Sequence, residues 1–203
     1  MKALISVFFC LLMAPLPGFC QWDFDKISSL PYEAYDSLQW EDEDTIRVSG
    51  NRYMKFYKIH GWRGLYLYVD NEWKKHGKWY RLYGNKVLEK YTYREGMLHG
   101  EHVLFYGSGT PHEKEVYANN KLHGRYEKYD MEGYKILSVP YAHGVKEGME
   151  KHYAKNGQVT IMYPYVDGKI HGTVIEYDDY GEVLTRTPYE NGHQSGETRY
   201  AYF

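Results

Sequence analysis

Residues 165–181 read YVDGKIHGTVIEYDDYG. Taken alone, the His171-Gly172 pair beside Asp167 and Tyr177 invites a catalytic reading. Its neighbours argue otherwise. The second glycine of each His-Gly-like pair falls at Gly77, Gly100, Gly124, Gly148, Gly172 and Gly196, with spacings of 23, 24, 24, 24 and 24. A tyrosine column runs Tyr93, Tyr117, Tyr141, Tyr165, Tyr189, and a second glycine column runs Gly109, Gly133, Gly157, Gly181. Tyr129, Tyr153 and Tyr177, with Phe105 in phase, make a fourth. Four columns at one period of 24 define an internal repeat.

Each unit parses into local structure. TVIEY after Gly172 is rich in β-branched and aromatic residues, as a strand requires. DDYG is a turn in which Gly181 is free to take positive φ. VLTRT is a second strand expected to stop at Pro188, because proline lacks the donor a central ladder needs. Pro140 and Pro164 mark the same boundary in earlier copies. YENGHQSG then reads as the return loop, with Asn191-Gly192 as its turn signal and the His-Gly position closing it.

The expected fold is all-β, an elongated single-layer antiparallel meander of tandem hairpins of 24 residues each. From residue 68 to 203 there is room for roughly ten to twelve strands, a ribbon on the order of 50–60 Å at about 4.8 Å per strand. Such a sheet has little interior, so stacked aromatic columns are expected to hold it together. Residues 51–67 carry another Ile-His-Gly at 59–61, out of phase with the rest, and read as a degenerate repeat or cap. All five tryptophans (Trp22, Trp40, Trp62, Trp73 and Trp79) lie toward this end, which suits a cap over the open edge.

The N-terminus carries a different signal. Lys2 followed by the apolar run Ala3 to Ala14 is too short to span a bilayer and has the form of a signal peptide over residues 1–20, with a mature start at Gln21. The chain is therefore expected to be exported: periplasmic, outer-membrane-associated or secreted, with no transmembrane span. A lipoprotein anchored through Cys20 is the competing reading, disfavoured by Phe19 where a small residue is wanted. Residues 21–50 hold eight acidic and two basic side chains, a net of −6, and form an acidic segment or linker in which Ser28 or Ser29 before Pro31 can open a short helix. Residues 51–203 hold 22 basic and 19 acidic side chains, a net of +3. That is a thin footprint for phosphate contact, and nucleic acid is not an expected partner.

The usual chemistry is missing. His76, His99, His123 and His171 recur one per hairpin, about 10 Å apart, too far to converge on one ion. No cofactor or metal is expected, and the histidines read as turn residues beside glycine. Ser108 and Ser195 lack the strand–turn–helix context of a nucleophile elbow, and no phosphate-binding glycine loop is present. No enzymatic activity is expected. The candidate contact residues are the columns themselves, Tyr117, Tyr141, Tyr165 and Tyr189 together with Tyr129, Tyr153 and Tyr177. Their rings could stack on a peptide or a sugar, or simply on one another.

The pattern Tyr-x-x-Gly-x-x-His-Gly-x-x-x-x-Tyr-x-x-x-Gly, clearest at 141–157 and 165–181, closely resembles the MORN-repeat variant of bacterial proteins, some of which are labelled antitoxin components. It covers 68–203, about two thirds of the chain. In the copy from Tyr117 to Gly133, Asn120 replaces the inner glycine; Glu147 and Ser195 replace the histidine in two others. The resemblance implies a hairpin array used for protein–protein or membrane-proximal association, without catalysis of its own. The expected role is a protein-binding or scaffolding surface. The alternatives are a cell-envelope glycan-binding module and an immunity- or antitoxin-type binder.

Overall fold

The computed structural model describes residues 45–49, 52–59 and 61–201, with side chains from residue 61 onward and at Met54, Lys55 and Lys58. The signal peptide, Cys20, Trp22, Trp40 and the Ser28–Pro31 helix start lie outside the described residues. What is described is all-β: one open antiparallel sheet, a meander of hairpins.

Four long strands follow β1 (Thr45–Ser49), which is at the edge among the described residues: β2 (Arg52–Ile59), β3 (Trp62–Val69), β4 (Glu72–Tyr83) and β5 (Lys86–Arg94). The 24-residue unit then repeats as a two-residue strand, a six-residue strand and an eight-residue strand. The copies are β6 (Met97–Leu98), β7 (Gly100–Phe105) and β8 (Pro111–Ala118); β9 (Lys121–Leu122), β10 (Gly124–Tyr129) and β11 (Lys135–Ala142); β12 (Val145–Lys146), β13 (Gly148–Tyr153) and β14 (Val159–Val166); and β15 (Lys169–Ile170), β16 (Gly172–Tyr177) and β17 (Val183–Glu190). The series ends with β18 (His193–Gln194) and β19 (Arg199–Tyr200).

The return loop is tighter than the sequence implies. Glu190 pairs with His193, so only Asn191 and Gly192 turn the chain, with φ of +51° and +87°. Positive φ at both central residues is the mark of a type I′ turn, whose twist matches the strands it joins. The same geometry recurs at Glu95-Gly96, Asn119-Asn120, His143-Gly144 and Asp167-Gly168. Each turn is stitched to the repeat before it: the amide of Gly168 donates to Lys146 O at 3.0 Å, and that of Gly192 to Ile170 O at 2.8 Å.

The His-Gly pair does not close that loop. It is a bulge inside a strand. Tyr165 pairs with Ile170, and an unbroken ladder would set Ile161 opposite Val174; it faces Glu176 instead, so the β15–β16 side holds two extra residues. Gly172 takes a φ of +115° there, and His171 N–H donates to Pro164 O at 2.9 Å. A bulge leaves residues unpaired and sharpens the local twist.

This also corrects the expected stop at the prolines. Pro140, Pro164 and Pro188 sit inside β11, β14 and β17, not at their ends. Each lies opposite a bulge, where the ladder is already interrupted and a missing N–H leaves no acceptor stranded. A Cβ on Gly172 would come within 3.2 Å of Pro164 Cγ, and Gly148 and Gly196 meet Pro140 and Pro188 in the same way.

The five-residue loops at the other ends, such as Asp178 to Glu182, close with Gly181 N–H on Asp178 O at 3.1 Å, while Asp178 Oδ1 accepts from the amides of Tyr180 and Glu182. Asp130 does the same for Glu132 and Tyr134. Short polar side chains are favoured at this point because they satisfy the turn's own amides.

Burial is uneven. Met54, Leu65, Leu67 and Trp79 are 0–1% exposed and cluster in β2–β4, whereas the repeats contribute only Val103, Val139 and Val174 to the apolar core. Trp79 lies across Gly64, donates Nε1–H to Leu65 O at 2.9 Å, and meets Tyr66 edge-on at 4.9 Å. The aromatic columns are half-buried, so the best-packed part of the sheet is its N-terminal end.

Candidate binding face

Residues directly opposite one another in a ladder share a face, and alternate residues of a strand switch face. Gly100 pairs with Tyr117 and Tyr117 with Leu122; Gly124 pairs with Tyr141, Gly148 with Tyr165, and Gly172 with Tyr189. The column Tyr93, Tyr117, Tyr141, Tyr165, Tyr189 therefore runs along one face, with bulge glycines as ladder partners of its tyrosines. Tyr129, Tyr153 and Tyr177 have the opposite parity in β10, β13 and β16 and occupy the other face with Phe105. The two sets of candidate tyrosines do not form one surface. All seven of these rings (Tyr117, Tyr141, Tyr165, Tyr189, Tyr129, Tyr153, Tyr177) are half-buried.

The face bearing Tyr93–Tyr189 gathers further groups that the repeat pattern does not mark. Toward the N-terminal end it carries Trp62, Tyr66, Tyr68, Trp73 and Tyr91, with Trp62–Tyr91 at 5.8 Å and Tyr68–Trp73 at 5.2 Å. Lys75 Nζ lies 4.5 Å from the Trp79 ring centre, 5.1 Å from Tyr93 and 5.4 Å from Trp62, and burial lowers its pKa. Lys146 Nζ sits 4.6 Å over Tyr165. Such cation–π contacts strengthen where water is excluded.

Ion pairs lie between the rings. His102 stacks on Tyr91 at 4.2 Å and shares a hydrogen bond with Glu115 at 2.7 Å, and Tyr117 O–H donates to the same carboxylate at 2.9 Å. Two repeats on, Glu150 is only 7% exposed and receives Lys146 at 2.6 Å and His152 at 2.8 Å. On the other face Tyr129 O–H donates to Glu127 at 2.6 Å, and Lys114 lies 5.1 Å from the Tyr129 ring.

These contacts set a pH window. The hydrogen bond from His102 holds the Glu115 carboxyl below the ordinary range. For Glu150, burial pushes upward, but Lys146 and His152 together outweigh it and the net shift is down. A carboxyl that ionises more readily when folded stabilises above the unfolded pKa and loses that contribution as pH falls through the folded one. Urea midpoints should therefore hold steady near neutrality and drop on acidification below about 4.5, the ordinary carboxyl value here. Burial, followed by the hydrogen bond to Glu115, pushes Tyr117 up to about 12, and burial followed by Glu113 does the same for Tyr126. Phenols raised in this way stabilise below pH 10 and lose that contribution as pH climbs toward 12. A tyrosinate absorbance titration should accordingly show a late group of phenols; a single step at the ordinary value would refute it.

Two histidines of the repeat, His76 and His123, serve the backbone with their side chains. Gly77 and Gly196 sit at the first and last bulges, and His99, His123 and His171 precede Gly100, Gly124 and Gly172 at those between. The amide of Glu95 donates to His76 Nδ1 at 3.2 Å, and that of His143 to His123 Nδ1 at 3.4 Å. Where Glu147 replaces histidine, its Oε2 accepts from Asp167 N–H at 2.9 Å. At His76, His123 and Glu147, then, the position supplies the next turn with an acceptor and not with a particular imidazole. His99 Nδ1 instead lies 3.2 Å from Asn119 Oδ1, and His171 is exposed.

Among the described residues, no three His, Cys, Asp or Glu side chains converge as a metal site would require. Ser108 Oγ is engaged with Thr110 in a hairpin loop, and Ser195 occupies the residue before the last bulge glycine. Neither adjoins the His102–Glu115 pair. Among the described residues no helix is long and apolar enough to cross a membrane. A scan against protein-family models finds no match for this chain, and a search of curated proteins finds none.

Proposed function

We propose that the chain is an exported, non-enzymatic repeat protein of the MORN-variant kind, and that the face carrying Tyr93 to Tyr189 binds a protein partner. The observation that carries this reading is the continuity of one aromatic face from the repeats into the N-terminal strands. Half-buried tyrosines recur along one face at every repeat and continue into Trp62, Trp73 and Tyr91, with cations over the rings. Tyrosine and tryptophan present large contact area at low entropic cost, and they dominate binding energy at protein interfaces. The reading also draws on the sequence resemblance, and export rests on the N-terminal apolar run.

Two double variants test the face. Tyr141→Ala with Tyr165→Ala removes two adjacent rings from the proposed side, and Tyr153→Ala with Tyr177→Ala removes two from the other. In crosslinking pull-downs from the envelope fraction, the first pair should lose partner capture about tenfold or more, since hot-spot truncations cost ~1–2 kcal/mol each. The second should retain it. Equal loss from both pairs would refute the assignment. Retained protein capture combined with tyrosine-dependent binding on a glycan array would favour a glycan-binding module, and a toxin as the captured partner would specify an immunity-type binder.

A further inference from the structure

The inner residues of β2–β4 pose a problem that a one-layer sheet cannot solve. Met54 pairs with Leu67, and Leu65 shares that parity, as does Tyr80 opposite Arg63. All four therefore lie on the face opposite the tyrosine column. A sheet face without a second layer stays open to water, yet Met54 and Leu65 are 0% exposed, Leu67 1% and Tyr80 7%. The strong contacts between described elements all run between ladder neighbours, so no described strand supplies the missing layer. Sheets bury a face by packing another element about 10 Å away.

We propose that this face is the docking site of the chain's own acidic segment, residues 21–44. The charge fits. Lys58, Arg63 and Lys78 rim the apolar centre on the same face, by their pairings with Arg63, Tyr80 and Thr92. The segment opposes them with Asp23, Asp25, Glu33, Asp36 and the run Glu41 to Asp44. The apolar content also fits: Trp22, Phe24, Ile27, Leu30, Tyr35, Leu38 and Trp40 offer the surface that Met54, Leu65, Leu67 and Tyr80 need. Reach is no obstacle. The segment joins the sheet at Thr45, which pairs with Lys55 next to Met54, so its last residues start beside the site. Twenty-four residues span about 36 Å even if fully helical, more than the three strand spacings, ~15 Å, to be covered. The docked segment would close the N-terminal end of the array and leave the tyrosine face as its open side.

The full chain allows a direct test. Zero-length carbodiimide coupling joins an ammonium to a carboxylate in contact with it, and peptide mapping should find Lys58 and Lys78 joined to acidic residues of 21–44 within the monomer. The yield should fall several-fold in high salt. The variant Ile27→Asp with Leu38→Asp changes only the segment. It should lower the melting temperature by several degrees and raise binding of an apolar dye several-fold, with the repeats still folded by circular dichroism. Couplings found only in a dimer band would show that a second copy fills the face. An unchanged melting temperature and dye signal, with no such couplings, would overturn the proposal. Partner capture through the tyrosine face is read separately, so either idea can fail alone.

Discussion

Gly64→Ala should destabilise the protein by about 3–5 kcal/mol, the range for losing a large buried aromatic. The new Cβ would stand 2.2 Å from Trp79 Cδ2 and 2.4 Å from Cε2. No atom can remain at those distances, and the β3 backbone is held by ladders to β2 and β4. The indole must therefore leave. Its departure breaks the Nε1–H bond to Leu65 O and uncovers a ring that is 1% exposed. Urea unfolding followed by tryptophan fluorescence measures the cost. Trp79→Ala should cost about the same, and Gly64→Ala made on top of it should cost ~0.5 kcal/mol or less, because the clash is gone. Full additivity would show that the glycine acts through backbone freedom and not through the ring. Gly84→Ala is the control: its φ is +59° with nothing within 4 Å of the added carbon, and a loss of about 1 kcal/mol is expected.

How much of this was legible follows from what period and register each encode. A period of 24 fixes the unit, the number of hairpins and the turn positions, because glycine and asparagine mark turns independently of tertiary context. It does not fix register. His171-Gly172 could close a loop or sit in a bulged strand; both need glycine, and only the pairing of Ile161 with Glu176 separates them. The same ambiguity hid the faces. Tyr165 and Tyr177 belong to one repeat and look equivalent, but the Tyr165–Ile170 pair fixes Ile170 on the first tyrosine's face, and the odd step from 170 to 177 places Tyr177 on the other. Once that register is known, parity alone would have found the split. Lys75 among Trp62, Trp79 and Tyr93 had no such marker, since it lies in the strands before the strict repeat and its cage is assembled from three of them.

Gly172→Ala should show how far one bulge supports the array. At a φ of +115° an L residue is strained outside the left-handed helical basin, where even asparagine rarely sits. The added methyl would also press Pro164 Cγ at 3.2 Å, inside the range of comfortable contact. Strain and crowding together make a loss of about 3 kcal/mol the expected cost. In a quasi-one-dimensional array each repeat leans only on its neighbours, so the damage should stay local. Hydrogen exchange should accelerate in β16–β19 while β2–β5, which hold Met54, Leu65, Leu67 and Trp79, keep their protection. Adding Pro164→Ala separates the two causes: it removes the crowding but leaves φ unchanged, so rescue should be partial. Complete rescue would mean that the proline–glycine contact alone selects glycine at the bulge. Uniform acceleration from β2 to β19 would mean that the hairpins fold as one cooperative unit, which a single-layer meander with its core at one end should not do.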